Sequence, residues 1–260
     1  MVNDKIIGAK KTWSPYDLLS NSSKNFLKRF WDKIGLSKEF GSMCRYELDM
    51  LLLRISCRFN IVQKKQINNL KTEKGLKVNL GCGWVPIPGW INLDCYPPPK
   101  EESKKFRILV LDMRKKLPFE NNSVVSIYSE HFMEHLPFRI VRDFLIPECL
   151  RILSPGGFIR MGVPDGEVFI KRYHLRNANN SPNVTSNPMP EMMNINDIAH
   201  GGGHFYLYDY EVLEKIFKEA GFKNLRKCGS FETHVSYFEN LDQDDEWRIK
   251  NTVFIEGQKL

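Results

Sequence analysis

The sequence lacks the features of a membrane-spanning, secreted or disulfide-linked chain. Its longest apolar run, residues 48–57, is interrupted by Asp49 and Arg54 and is too short to cross a bilayer. No apolar run follows the N-terminal charges, so we expect no signal peptide. The six cysteines are scattered without C-x-x-C spacing, which favours reduced thiols over a disulfide framework or a zinc knuckle. These absences predict a cytoplasmic protein.

Positive charge is concentrated near the N-terminus. The net charge is +7, and residues 1–77 carry sixteen Lys and Arg against seven Asp and Glu. Two interpretations stay open: residues 1–70 contact a membrane surface or a partner protein, or they form the solvated face of amphipathic helices. A nucleic-acid partner is not expected, because the basic helices lack regularly interleaved aromatic residues for base stacking.

The first 70 residues predict a helical extension or cap. Ser14-Pro15 is typical of a helix start, and residues 43–59 place Leu48, Leu51, Leu52 and Ile55 on one helical face. A polar link, KKQINNLKTEKG, follows. We therefore expect a domain of different architecture over residues 71–260.

That second part alternates between short β-rich runs and helical patterns. The runs are LKVNL, WINLD, FRILVLDM, VVSIYSE, GFIRMGVPD, FKNLRKCG and TVFIEGQ. Helices are predicted over residues 138–153 and 209–221. The early runs are almost continuously apolar, as in strands that are covered on both faces. The pattern predicts an α/β fold with a seven-stranded, mostly parallel sheet and helices on both faces. Residues 176–203, rich in Asn, Pro and Ser, are too long for a simple connection and predict a lid-like insertion.

Three consecutive strand ends predict an adenosine pocket. The first strand runs into the glycine turn Gly81-Cys82-Gly83, which lets backbone N–H groups approach a ligand. The second ends in Asp94, which can accept hydrogen bonds from ribose hydroxyls, and the third ends in Asp112-Met113, a carboxylate for an adenine amine beside an apolar wall. Pro86 occupies the third glycine position of a nicotinamide fingerprint, and no G-x-x-x-x-G-K-[ST] is present, so NAD and a P-loop are disfavoured.

These motifs, with LRILSPGGFIRMGVPD, resemble those of class I S-adenosylmethionine-dependent methyltransferases. The connection from the glycine turn to PGWINLD resembles more narrowly a bacterial subgroup associated with surface-polysaccharide and glycan synthesis. The resemblance implies a Rossmann-like fold and S-adenosylmethionine as cofactor, with S-adenosylhomocysteine as product. It implies these cofactor contacts: Gly81, Cys82 and Gly83 with the methionine and ribose, Asp94 with the ribose, Asp112 and Met113 with the adenine, and Glu130 and His131 beside the sulfonium.

The sequence EHFMEHLP contains the zinc-binding spacing H-x-x-E-H at His131, Glu134 and His135. A zinc protease needs a third ligand from a downstream helix, and none is apparent in the sequence. The resemblance instead implies that Glu134 and His135 pack a helix. We therefore expect neither a protease nor a metal.

His131, His204 and Asp165 are the catalytic candidates. Imidazole is suited to deprotonating a sugar hydroxyl near neutral pH, but His131 has the alternative of a hydrogen-bonded structural role. His204 ends the sequence HGGGH, where His200 or His204 is a base or a substrate ligand on a glycine hinge. Asp165 either grips a hydroxyl or forms an Asp-Gly turn.

The predicted activity is O-methylation of a sugar or glycan-linked intermediate. The alternatives are methylation of another small metabolite, a lipid-linked precursor or RNA, and a non-catalytic protein that only binds the cofactor. A protein that only binds the cofactor would show binding without methyl transfer, which distinguishes this alternative from the others.

Overall fold

The computed structural model describes residues 37–96, 104–177 and 190–260, together with Arg29, Lys33 and Gly35. The predicted helix start at Ser14-Pro15 and residues 178–189 of the predicted insertion lie outside the described residues. Within them, no helix combines the length and apolar character needed to cross a membrane.

All seven predicted strands are confirmed, and they form one sheet. They are β1 (Leu76–Leu80), β2 (Ile91–Asp94), β3 (Arg107–Val110), β4 (Val124–Glu130), β5 (Leu153–Pro164), β6 (Lys223–Cys228) and β7 (Thr252–Gln258). Their order is β3-β2-β1-β4-β5-β7-β6. β1 to β5 pair in parallel, and β7 is antiparallel to both β5 and β6. The crossover from β3 to β4 makes β1 and β4 central neighbours, and the carboxyl edge at such a reversal of strand order is where ligands bind in open α/β sheets.

The helices of the described residues are α1 (Lys38–Phe59), α2 (Ile61–Leu70), α3 (Phe138–Ile140), α4 (Ile146–Ile152), α5 (Gly166–Asn177), α6 (Glu191–His200), α7 (Tyr210–Ala220) and α8 (Glu246–Asn251). The helix predicted over 138–153 is present, but a π-helical turn, Val141–Leu145, separates α3 from α4. Pro147 has no N–H to donate just after this turn. The helix predicted over 209–221 is α7, which ends where Gly221 adopts a left-handed φ of 108°.

The core lies on both faces of the sheet. Val78, Leu80, Ile127, Ile159 and Val163 from the central strands have no exposed surface. Buried residues of α4 and α7 belong to the same apolar cluster. This two-sided burial explains why the strands could be recognised as continuous apolar runs.

The helices α1 and α2 attach to the end of β3. Gln63 Nε2 donates to the carbonyl oxygen of Val110 over 2.7 Å, and Cys57 Sγ lies 3.0 Å from the same oxygen. Met50 and Leu70 are buried. The face predicted from the apolar spacing, Leu48, Leu51, Leu52 and Ile55, stays 39–52% exposed. The boundary between residues 1–70 and 71–260 remains a prediction.

Three helices, α5, α6 and α8, were not predicted from the sequence, and α2 extends to Leu70 where a polar link was expected from Lys64. α5 follows β5 directly, and α6 occupies the end of the predicted insertion. Their Asn and Gly content gives them weak intrinsic helix propensity, so tertiary packing of α5 against α6 decides their conformation. The predicted role of residues 176–203 as a lid stays a prediction.

Candidate functional site

The turn after β1 has no room for side chains at its first glycine. Gly81 has a φ of 68°, and a β-carbon there would overlap the ring of Phe132. The turn is tied to β2 because Cys82 N donates to the carbonyl oxygen of Leu93 over 3.0 Å. The backbone at Gly81 is therefore not covered by a side chain at the carboxyl edge of the sheet, and a ligand can approach it closely.

Asp94 closes the opposite side of this turn. Its Oδ2 accepts a 2.8 Å hydrogen bond from Gly83 N, and its Oδ1 accepts a 2.9 Å bond from Tyr96 N. Burial raises the pKa of Asp94, and these N–H donors oppose the rise. The carboxylate is therefore fixed in position at the end of β2 and retains lone pairs for further donors.

A cavity of about 790 Å³ opens beside the turn. It brings together six of the residues predicted from the sequence: Gly81, Gly83, Asp94, His131, His200 and His204. Its other lining residues are Met43, Tyr46, Cys95, Tyr96, Phe132, His135, Leu136, Gly202, Gly203 and Phe205. A space of this size lies in the range for ligand pockets, which are mostly apolar with a few convergent polar groups.

Asp112 and Met113 do not line this cavity. The Asp112 carboxylate accepts from Arg114 Nε over 2.9 Å and from Arg114 Nη2 over 3.1 Å, and Arg54 Nη1 lies 3.9 Å away. Met113 belongs to the buried apolar core. The predicted adenine contact therefore requires Asp112 to share its carboxylate with Arg114, and it stays a prediction.

Cys82 and Glu130 line a small space on the other side of Gly81. Glu130 accepts hydrogen bonds from Tyr128 Oη (2.8 Å), Gln243 N (3.1 Å) and Arg248 Nη1 (3.1 Å). Burial raises the pKa of the Cys82 thiol to about 12, so it is neutral at physiological pH. Both residues adjoin the turn, and their predicted cofactor contacts stay predictions.

His131 ends β4 in a strained backbone conformation. Its φ is 52°, which is uncommon outside glycine, and its N donates to Gly162 O over 2.9 Å. Its Nε2 lies 2.8 Å from the Thr252 hydroxyl, and its Nδ1 lies 3.3 Å from Glu134 Oε1. Strain of this kind is often found at functional sites.

Glu134, His135 and His204 form a cluster in which the two histidines line the cavity and Glu134 is buried behind them. One ligand atom from each lies within 4.8 Å of the other two. The rings of His135 and His204 meet edge to face, with centroids 4.7 Å apart. His204 and His200 do not share a helix face, because α6 ends at His200 and a short 3₁₀ turn, Gly201–Gly203, intervenes.

Asp165 lies away from the cavity lining. Its Oδ1 accepts from Glu167 N over 3.0 Å, which closes an Asx turn at the start of α5. Burial raises the pKa of its carboxyl group. This geometry favours the turn-forming alternative, and its predicted catalytic role has no support from the cavity.

Sequence reasoning missed the contribution of α1. Met43 and Tyr46 reach the cavity from this helix, and the Arg114 guanidinium, which is hydrogen-bonded to Asp112, lies 5.1 Å from the centroid of the Tyr46 ring. No signal in the sequence relates residue 46 to the glycine turn. His135 was present in a recognised motif, but its proximity to His204 depends on a chain reversal that the spacing does not encode.

The residues at this edge fit S-adenosylmethionine. The side-chain-free Gly81 gives the close backbone approach that the cofactor needs, and Asp94 offers a fixed carboxylate to a pair of hydroxyls. Phe132 and Tyr96 add apolar surface beside them.

A comparison with known families agrees with this assignment. The family model described as "Methyltransferase domain" matches residues 94–161. No curated protein matches the sequence.

Solved structures with a similar arrangement are distant in sequence. A structure described as a SAM-dependent methyltransferase, possible histamine N-methyltransferase, from Thermotoga maritima is 18% identical (84% of this chain, 96% of that chain, TM-score 0.46). A SAM-dependent methyltransferase from Archaeoglobus fulgidus is 16% identical (90% and 100%, TM-score 0.44). Phosphoethanolamine N-methyltransferase 2 from Haemonchus contortus, in complex with S-adenosyl-L-methionine, is 14% identical (75% and 52%, TM-score 0.41).

The family match begins at Asp94 and ends within β5, so it spans the strands that border the cavity. With the strand order and the glycine turn, this match to a methyltransferase domain supports an enzyme whose cofactor is S-adenosylmethionine.

Proposed function

We propose that the domain methylates a hydroxyl group of a sugar or of a glycan-linked intermediate. The cofactor supplies an activated methyl group on a sulfonium. The protein then has to align the acceptor and remove its proton, and alignment alone can contribute as much as about 7–11 kcal/mol. The remaining requirement is a base beside the acceptor.

The observation that carries this proposal is the environment of His131. Its Nε2 already meets a hydroxyl, Thr252 Oγ1, at 2.8 Å, while its Nδ1 faces the buried Glu134 carboxylate at 3.3 Å. A carboxylate beside one ring nitrogen stabilises the imidazolium that forms when the other nitrogen takes a proton. This arrangement suits deprotonation of an alcohol. His204 is the alternative candidate for the base in the sequence analysis.

The walls of the cavity support a ring-shaped acceptor. Tyr46 and Phe205 provide aromatic surface, and the imidazoles supply the few polar groups. In this proposal Asp94 and the glycine turn hold the cofactor, while the side with His131 and His204 holds the acceptor.

A lipid-linked precursor is the second candidate acceptor. Met43 is 51% exposed and Phe205 is 45% exposed, and both line the cavity. Apolar side chains at a cavity opening suit an acceptor that carries a lipid chain. The excess of Lys and Arg in residues 1–70 would then contact an anionic membrane surface or a partner protein.

The experiment is a transfer assay with S-adenosylmethionine that carries an isotopically labelled methyl group. Nucleotide sugars, free glycans and lipid-linked sugars are offered separately, and labelled products are located by mass spectrometry. We expect label on a sugar oxygen, and at least about a hundredfold loss of kcat for His131→Ala, as is typical when a general base is removed. The control is His174→Ala, an exposed residue of α5 outside the cavity. Label found only on amine acceptors, or full activity of His131→Ala, contradicts the proposal.

A further inference from the structure

The cluster of Glu134, His135 and His204 joins two distant parts of the chain. Glu134 and His135 lie on the 3₁₀ turn Met133–His135 after β4, and His204 follows α6. Phe205 N donates to the backbone oxygen of Glu134 over 2.7 Å, so the segment that carries His204 is fastened next to that turn. The three side chains are therefore held together by backbone contacts.

Glu134 has a buried carboxylate without a hydrogen-bond donor. Its side chain is 1% exposed, and neither of its oxygens has a hydrogen-bond partner among the described residues. His131 Nδ1 lies 3.3 Å from Oε1, but this pair does not form a hydrogen bond. A buried carboxylate is costly unless it is paired or coordinates a metal.

The orientation of His204 leaves one nitrogen available as a ligand. Its Nδ1 lies 2.6 Å from the carbonyl oxygen of Ile198, which can only accept a hydrogen bond. Nδ1 therefore carries the proton, and Nε2 keeps its lone pair. A metal-bound histidine is usually held in this way, with its second nitrogen donating to a carbonyl or carboxylate.

His135 is held beside His204. Its imidazole is hydrogen-bonded to the backbone at Gly203, and its ring meets the His204 ring edge to face with centroids 4.7 Å apart. Two imidazoles and one carboxylate form a donor set typical of catalytic zinc sites with three protein ligands, whereas Mg²⁺ and Ca²⁺ prefer oxygen ligands alone.

We propose that Glu134, His135 and His204 bind a divalent transition metal of the Zn²⁺ type, with an open position that faces the cavity. The expectation of no metal came from the missing third ligand of the H-x-x-E-H spacing. The structure supplies that third group from His204, and His131 of the motif stays outside the ligand set.

The consequence for catalysis rests on the proposed function. With a metal held there, the open position would take the acceptor hydroxyl, and the metal would make that hydroxyl more acidic. His131 Nε2 would accept the proton as the oxygen bonds to the methyl carbon, and the electron pair of the broken carbon–sulfur bond would stay on sulfur. This assigns His204 to the metal and leaves His131 as the base.

The experiment measures metal binding without cofactor or acceptor. Protein freed of any affinity tag and treated with chelator is titrated with Co²⁺, followed by visible absorption, and with Zn²⁺, followed by calorimetry. We expect one equivalent to bind, with a band typical of four-coordinate Co²⁺. His204→Ala and Glu134→Gln should each weaken binding at least about a hundredfold, more than the loss usually seen on removing an outer-shell partner.

The matched control is His200→Ala, because His200 lines the same cavity and lies outside the cluster. We expect it to keep the affinity of the wild type. Equal affinity of His204→Ala and wild type, or no binding below millimolar metal, overturns the metal site. If Glu134→Gln does not fold, His204→Ala decides, since it alters a segment on the rim.

The metal site and the proposed function can fail independently of each other. Methyl transfer by protein that binds no metal overturns the metal site and leaves the proposed function intact. Metal binding with no transfer to any hydroxyl acceptor supports the metal site and contradicts the proposed function.

Discussion

Gly81 and Phe132 are packed so closely that residue 81 cannot carry a side chain. The glycine ends the connection from β1, and the ring of Phe132 follows β4, so the contact joins the two central strands at the carboxyl edge of the sheet. A β-carbon at position 81 would overlap the ring, and the φ of 68° already disfavours any L-residue other than glycine.

Gly81→Ala should therefore lose cofactor binding and stability together. The left-handed conformation costs about 1–2 kcal/mol in a residue with a β-carbon, and displacement of Phe132 adds to that cost. The control is Gly89→Ala, which has a φ of 75° and open space around it. Gly89→Ala should show only the conformational cost in thermal unfolding and keep its affinity for S-adenosylmethionine. Equal affinity of the two variants would contradict the role given to the turn.

Asp94→Asn should lower the affinity for S-adenosylmethionine at least about tenfold, because a hydrogen bond to a charged group contributes about 1.5–3 kcal/mol. The carboxylate is positioned by Gly83 N and Tyr96 N, and the amide keeps an acceptor for only one of them. Calorimetric titration measures the change. Asp245→Asn, an N-cap of α8 away from the cavity, is the control and should bind as the wild type does.

Arg114→Ala should destabilise the fold much more than Arg54→Ala. Arg114 makes two hydrogen bonds to the buried Asp112 carboxylate, whereas the Arg54 guanidinium lies 3.9 Å away and is partly exposed. Removing the partner of a buried charge costs about 3–5 kcal/mol, and an exposed pair contributes about 1 kcal/mol or less. Chemical denaturation measures both. Similar losses would mean that Arg114 is not the main partner of Asp112.

Asp165→Asn should raise stability at neutral pH and lose that advantage in acid. Burial raises the pKa of Asp165 in the folded state, so the folded protein binds more protons than the unfolded chain between the two pKa values. The wild type therefore loses stability as the pH rises through this window, and the uncharged amide does not. The amide can still accept from Glu167 N. Melting temperatures should differ by a few degrees above the window, since about 1 kcal/mol corresponds to roughly 2–4 °C at this chain length. A difference that is independent of pH would show that Asp165 is not the cause.

The strands and the cofactor edge could be predicted because local chemistry determines them. A run such as LKVNL is apolar on both faces since β1 lies between other strands and under helices, and this leaves a pattern within five residues. The glycine turn is readable for a similar reason, because the positive φ of Gly81 restricts the residue type at that position.

Contacts between distant segments could not be predicted in the same way. His204 meets Glu134 through the hydrogen bond from Phe205 N and the path of α6, neither of which has a periodic signature. Tyr46 reaches the cavity because α1 docks on the end of β3, while the apolar face that the spacing emphasised stays exposed. Asp112 was assigned by its position at a strand end, and its pairing with Arg114 two residues later depends on the turn between them.

The most direct test of the central claim is calorimetric titration of the wild-type protein with S-adenosylmethionine, S-adenosylhomocysteine, NAD and ATP. We expect micromolar affinity for the first two and none for NAD or ATP, because the glycine turn and Asp94 form an adenosine site without a pyrophosphate-binding fingerprint. Preference for NAD or ATP, or no binding of S-adenosylmethionine, would contradict it.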